Sequence, residues 1–118
     1  MLKSLLHIFT LIIFISCQSN DCEQLPSSFQ SHEEGVSKVL DSSFTLEDEL
    51  DTSKSSWIRG AQYFSCDSNI GFLVINTDSS IYIHQAVPLS IWEGFKDASS
   101  FGSYYNRNLK GRFKLRIN

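Results

Sequence analysis

Ile70-Gly71-Phe72-Leu73-Val74-Ile75 is an almost unbroken apolar run between two turn-forming stretches, residues 66–69 and 76–80. Such a run fits a strand that is central in a sheet or covered on both faces. The chain must therefore supply neighbouring strands and apolar cover. Ile81-Tyr82-Ile83-His84 alternates, which sends Ile81 and Ile83 one way and Tyr82 and His84 the other. Residues 57–65 read as the strand before the first turn. Together the three segments predict an antiparallel meander.

The cover is visible downstream. Pro88 suits the first turn of a helix, where its missing N–H is not needed. Ile91, Trp92, Phe95 and Ala98 then fall on one helical face. Ser99 and Ser100 break and recap the chain, and Phe101, Tyr104, Tyr105 and Leu109 fit a second helix stopped by Gly111. Phe113, Leu115 and Ile117 alternate with Lys114, Arg116 and Asn118, the pattern of a half-buried strand with a basic outer face.

Upstream, Ser31-His32-Glu33-Glu34 has the S-x-x-E spacing of a capping box, with Val36, Val39 and Leu40 following at helical spacing. A short helix over 31–41 is expected, although Gly35 weakens it. Phe44, Thr45 and Leu46 predict a brief strand, and the acidic run 47–51 a solvated loop. That run lacks the alternating ligands and turn glycine of a calcium loop. The 118 residues hold one domain, not two. The expected class is α+β: a small antiparallel sheet of three to four strands packed against two C-terminal helices, with a short N-terminal helix.

The N-terminus reads as an address. Lys3 precedes an apolar run over 5–15 that is too short to span a bilayer and fits a signal-peptide core. Phe14-Ile15-Ser16-Cys17 places a small residue before a cysteine and resembles the lipobox of bacterial lipoproteins, with Phe14 where Leu is usual. The resemblance implies cleavage before Cys17 and acylation of Cys17, which anchors the chain through roughly 0.8 kcal/mol per buried CH₂. The expected organisation is a signal peptide at 1–16, a lipidated tether at 17–28, a helix/strand extension at 29–56 and a compact domain at 57–118. Of the three cysteines, Cys22 and Cys66 remain. A bridge between them would suit an exported protein, but nothing in the spacing demands one, and two separate thiols are the expectation.

The net charge of -3 conceals a split. Acids dominate 18–56, and bases dominate 57–118, where no acid follows Asp97. No HExxH, GxSxG, SxxK or GxxxxGK[ST] motif is present, so catalytic residues, metal ligands and cofactors are not expected. The chemical lead is Arg107, Lys110, Arg112, Lys114 and Arg116, interleaved with Phe101, Tyr104, Tyr105 and Phe113. Tyr82 and His84 add an aromatic face, and cations with stacking rings are the ingredients of single-strand binding. Three of the rings, Phe101, Tyr104 and Phe113, also sit where a core is needed, and bases on an outward strand face are ordinary edge protection. A basic strip beside a lipid anchor would equally face anionic head groups.

Ile58, Gly71-Phe72-Leu73, Ile81-Tyr82-Ile83-His84, Val87-Pro88, the Trp92/Phe95/Ala98 helix, Ser100, Gly102, Tyr105-Asn106 and Lys110 resemble the KTSC domain. That short domain also occurs at the C-terminus of some lysyl-tRNA synthetases. The resemblance covers about 57–113. It implies the fold and, from the synthetase context, contact with RNA. The family's central Tyr-x-Tyr is here Tyr82 and His84, and an imidazole stacks and hydrogen-bonds but also titrates near neutrality.

An exported lipoprotein does not meet cytoplasmic tRNA. The expected function is therefore a lipid-anchored, non-enzymatic binding module of the bacterial cell envelope, on the periplasmic side or the surface. Its candidate binding residues are Tyr82, His84, Tyr105, Asn106, Arg107, Lys110, Arg112, Lys114 and Arg116. Its expected partners are the membrane, through Cys17, and a protein or envelope polymer. The alternative is a nucleic-acid binding domain that uses the C-terminal basic and aromatic surface.

Overall fold

The computed structural model describes residues 20–118. The signal segment, the candidate acylation site Cys17 and the start of the tether lie outside the described residues. The chain order is β1 (Asn20–Asp21), a 3₁₀ turn (Cys22–Gln24), α1 (His32–Leu40), β2 (Ser42–Ser43) and β3 (Leu46–Leu50). Then come β4 (Gly60–Ser65), β5 (Ile70–Asn76), β6 (Ile81–Pro88), α2 (Leu89–Asp97) and α3 (Phe101–Asn108). The main sheet is an antiparallel meander in the order β3-β4-β5-β6, and β1 pairs with β2 in parallel. The class is α+β, with two C-terminal helices and a short N-terminal one.

The apolar run of β5 is central and covered on both faces. Leu73 and Ile75 join Ala61, Tyr63, Val87, Trp92, Phe95, Phe101, Tyr105 and Leu109 in a core under α2 and α3. Phe72 and Val74 face the other way, toward Phe29, Val36, Val39, Ile83 and Leu115. Each fully buried large apolar side chain contributes roughly 1.5–3 kcal/mol. Trp92 stacks on Tyr63 at 5.6 Å and 10°. The Tyr104 hydroxyl donates to the Ile91 carbonyl at 3.0 Å and joins the two helices.

Ser31 caps α1, accepting from the Glu34 N–H at 3.1 Å. Glu34 reaches back one residue further than a capping box requires, to the Gln30 N–H. Gly35 is there for space: a Cβ on it would stand 2.5 Å from Leu115 Cδ2, so the glycine lets the C-terminal segment lie against α1. Ser100 caps α3 in the same manner as Ser31, at 3.2 Å from Ser103 N.

Six expectations are corrected. The acidic run is not a solvated loop, and the strand does not lie at Phe44–Leu46. Leu46–Leu50 is an edge strand in register with β4, from Leu46↔Ser65 to Leu50↔Ala61. Its inner face is Leu46, Asp48 and Leu50, and the inward acid disguised the alternation. Asp48 is accommodated because Lys96 Nζ lies 2.7 Å away and Trp92 Nε1 donates to it at 2.9 Å. The strand expected from Trp57 begins only at Gly60.

The last segment is not a regular strand. It meets β6 at the bridge His84↔Lys114 and Phe29 at Ile117, two different partners. Phe113 at φ 51° turns the chain between Gly111 and these bridges, so no continuous ladder forms.

Cys22 and Cys66 are joined in a disulfide rather than kept as separate thiols. The tether expectation also changes for residues 20–28. Cys22 is buried, the Ser27 carbonyl accepts from Gln85 Nε2 at 3.0 Å, and Phe29 N donates to the Arg116 carbonyl at 2.9 Å.

β6 contains a bulge. Leu73 pairs with His84 and Gly71 with Val87, so Gln85 and Ala86 together oppose Phe72. Ala86 takes φ 56°. The extra residue reverses the side-chain parity. His84 and Val87 therefore both face α3 and α2, although strict alternation would separate them.

Candidate functional site

Tyr82 and His84 point to the same face of β6, but at different depths. Tyr82 is 43% exposed and His84 only 6%. The reason is the C-terminal segment, which crosses over His84 and leaves Tyr82 open.

The imidazole is held from two sides. Its Nδ1 is 3.1 Å from the Arg112 carbonyl, which can only accept, so Nδ1 carries the proton. Its Nε2, 3.1 Å from the Tyr105 hydroxyl, is then the acceptor of that O–H. Burial lowers the pKa of His84, against the opposing pull of the Arg112 and Phe113 carbonyls. Burial also raises the pKa of Tyr105, with a smaller contribution from Tyr82.

Tyr105 anchors an aromatic group. Trp57 meets it edge-on at 5.6 Å and Tyr82 at 6.2 Å, tilted by 43°. The Trp57 indole is seated over α3, with its Nε1 where a Cβ on Gly102 would stand.

Lys110 and Tyr105 are linked by the end of α3, where the N–H groups of Leu109 and Lys110 both reach the Tyr105 carbonyl at 2.9 Å. Gly111 follows at φ 74°, a conformation natural to glycine, and reverses the chain. The reversal carries Arg112 and Lys114 back past the rings.

The result is a groove of about 610 Å³ between β6, the end of α3 and the C-terminal segment. Of the residues expected at a binding site, it brings together Tyr82, His84, Tyr105, Asn106, Lys110, Arg112 and Lys114. Arg107 and Arg116 fall elsewhere. Arg107 Nε turns back to the Ser103 carbonyl at 3.4 Å, and Arg116 lines a second cleft beside the disulfide.

His32, Ile83, Leu115 and Ile117 also line the groove and were missed. His32 arrives from α1 and hydrogen-bonds the Ile81 carbonyl at 2.8 Å. No local motif marks it.

Among the described residues the groove is lined by cations and no carboxylate. The ion pairs among the described residues involve Lys38, Arg59 and Lys96, all outside it. Lys110, Arg112 and Lys114 are exposed and carry no ion pair among the described residues.

One cluster of metal-ligating side chains occurs among the described residues: Asp21, Cys22 and Cys66, with ligand atoms within 4.8 Å of one another. Both sulfurs are committed to the disulfide, which leaves a single carboxylate. No helix of the described residues is long and apolar enough to cross a membrane.

The sequence model of a family described as the KTSC domain matches residues 54–113. No curated protein and no solved structure matches the chain.

Proposed function

This chain belongs to the KTSC domain family, and on that premise we propose that it is a non-enzymatic binding module, lipid-anchored at Cys17 in the bacterial cell envelope. Its contact site is the groove between β6, α3 and the C-terminal segment. One observation carries the reading: among the described residues, three aromatic rings and three cations without an ion pair converge on a 610 Å³ groove that no carboxylate lines. Such a surface attracts anions and offers flat apolar area beside them. The imidazole within it has both nitrogens engaged, which suits a supporting role better than proton transfer. The Cys22–Cys66 disulfide supports export, since such bridges persist outside the reducing cytosol.

Two measurements test the two halves of this reading. Labelled palmitate should enter the wild type and not Cys17→Ser, and unchanged labelling would remove the anchor. A photoreactive residue at position 82 should give a defined cross-linked product in envelope membranes, while the same residue at Leu40, exposed on α1, should not. Equal products from both positions would remove the groove as contact site.

A second reading keeps the groove and changes the occupant to single-stranded RNA, favoured by the same rings and cations. Binding would weaken steeply with salt and fall when Lys110, Arg112 and Lys114 are replaced together. Absence of binding at low salt excludes it.

A further inference from the structure

The groove has features beyond its charge. Its volume of about 610 Å³ lies within the range of small-molecule sites. Its aromatic group is preorganised, because Tyr105 is pinned from below by His84 and flanked edge-on by Trp57. A fixed wall loses little freedom when a ligand arrives.

Tyr82, at the mouth, has an exposed face. Its cations, Lys110, Arg112 and Lys114, all lie on the segment that leaves α3. A ligand that fills the groove must therefore present a flat face to the rings and negative charge to that segment.

We propose that the groove is a site for a small anion bearing a planar ring, the ring against Tyr82 and Trp57, with the buried Tyr105 backing them, and the anionic group among Lys110, Arg112 and Lys114. The proposal rests on the groove being the contact site and adds the chemical class of its occupant. Ring and charge act together: the ring supplies apolar contact and stacking, and the cations supply attraction that salt screens. A uniformly anionic ion without a ring lacks the first, and a neutral aromatic lacks the second. The anionic group is a carboxylate or a phosphate, since three cations without fixed bidentate geometry serve either.

The test uses the intact chain, titrated by calorimetry at low and at moderate salt. The probes are adenosine 5′-monophosphate, 2-naphthoate, uncharged adenosine and inorganic phosphate. At least one ring-bearing anion is expected to bind at least tenfold more tightly than both adenosine and inorganic phosphate, and to weaken with salt. The comparison of the two ring anions tells phosphate from carboxylate. Tyr82→Ala, at an exposed position, and Lys110→Gln/Lys114→Gln should each weaken that binding about tenfold without changing the melting temperature.

Inorganic phosphate binding as tightly as the ring anions overturns the proposal, as does binding unchanged in both variants. Failure of all four probes also overturns it. Oligouridylate is titrated beside these four probes; if it alone binds, the occupant is a polymer and the RNA reading replaces this one. If no probe binds but position 82 still cross-links in membranes, the ligand class is wrong and the contact site stands.

Discussion

His84 Nε2 stands 3.1 Å from the Tyr105 hydroxyl, and the two rings meet edge-on at 5.5 Å. The pair couples the sheet to α3 beneath the groove, and it works with a neutral imidazole. The pKa of His84 is lowered, chiefly by burial, so the unfolded chain takes up this proton more readily than the folded one. Stability from this group is fully present above the unfolded value near 6.5 and is lost as pH falls toward the folded value. The urea midpoint should therefore be flat above pH 7 and decline as pH falls below about 6.5. His84→Phe should start about 1–3 kcal/mol lower, because Tyr105 loses its acceptor, and should lack that decline. A decline of equal size in the variant would mean that another group is responsible.

Asp48 and Trp92 make a second long-range coupling, from the edge strand to the buried face of α2. Lys96 holds the carboxyl below its usual range, with the Trp92 N–H as the next contribution. Asp48 is about a third exposed, so the ion pair alone is worth no more than about 1 kcal/mol. The indole N–H is the larger stake, since Trp92 is fully buried and has no water to turn to. Asp48→Asn keeps an acceptor and should cost under about 1 kcal/mol, whereas Asp48→Ala should cost about 1–3 kcal/mol. Chemical denaturation of both variants checks the order. Equal losses would mean that charge, not the N–H, sets the energy.

These two contacts show what could be read from sequence. β5 was legible as an unbroken apolar run, the first half of β6 by its alternation and the two C-terminal helices by their helical spacing, and Ser31 and Ser100 because caps act within three residues. β3 was not, because Asp48 occupies an inward position that a periodicity argument treats as a break. Only Lys96 and Trp92, more than forty residues away, make an acid tolerable there. In the groove, the rings and cations could be listed from sequence, but not their sorting. That Arg107 turns away and His32 turns in depends on how α1 and α3 sit against the sheet. That His84 is buried depends on the path after Gly111.

The disulfide gives a third prediction. Cys22 and Cys66 are 44 residues apart and tie the N-terminal arm to the β4–β5 turn. Closing a loop of this length restricts the unfolded chain by roughly 4 kcal/mol in the chain-entropy picture, and measured values commonly fall at 2–4. Cys22→Ser/Cys66→Ser should lose about 2–4 kcal/mol, and a reducing agent should lower the wild type by a similar amount and leave the variant unchanged. A reductant effect on the variant would place the sensitivity elsewhere.

The bulge in β6 is the least conspicuous feature in the sequence, since Gln85-Ala86 carries no glycine. It nonetheless sets which side chains reach the core. Beyond it Val87 is buried under the helices, and its carbonyl accepts from the Tyr63 hydroxyl at 2.7 Å. Gln85 fixes the bulge from outside. Its Nε2 donates to the Ser27 carbonyl and its Oε1 accepts from the Arg116 N–H at 2.9 Å, so one amide clasps both terminal segments. Ala86 meets the cost of the turn with φ 56°, about 1–2 kcal/mol for a residue with a Cβ. Ala86→Gly removes that strain and gives back about 0.5–1 kcal/mol as unfolded-state entropy. The variant should be more stable by about 0.5 kcal/mol, while Ala86→Val, β-branched at positive φ, should be less stable by at least about 1 kcal/mol. Urea midpoints of the two variants decide it. A stabilising valine would mean that residue 86 does not hold the left-handed conformation and that the parity switch of β6 is made another way.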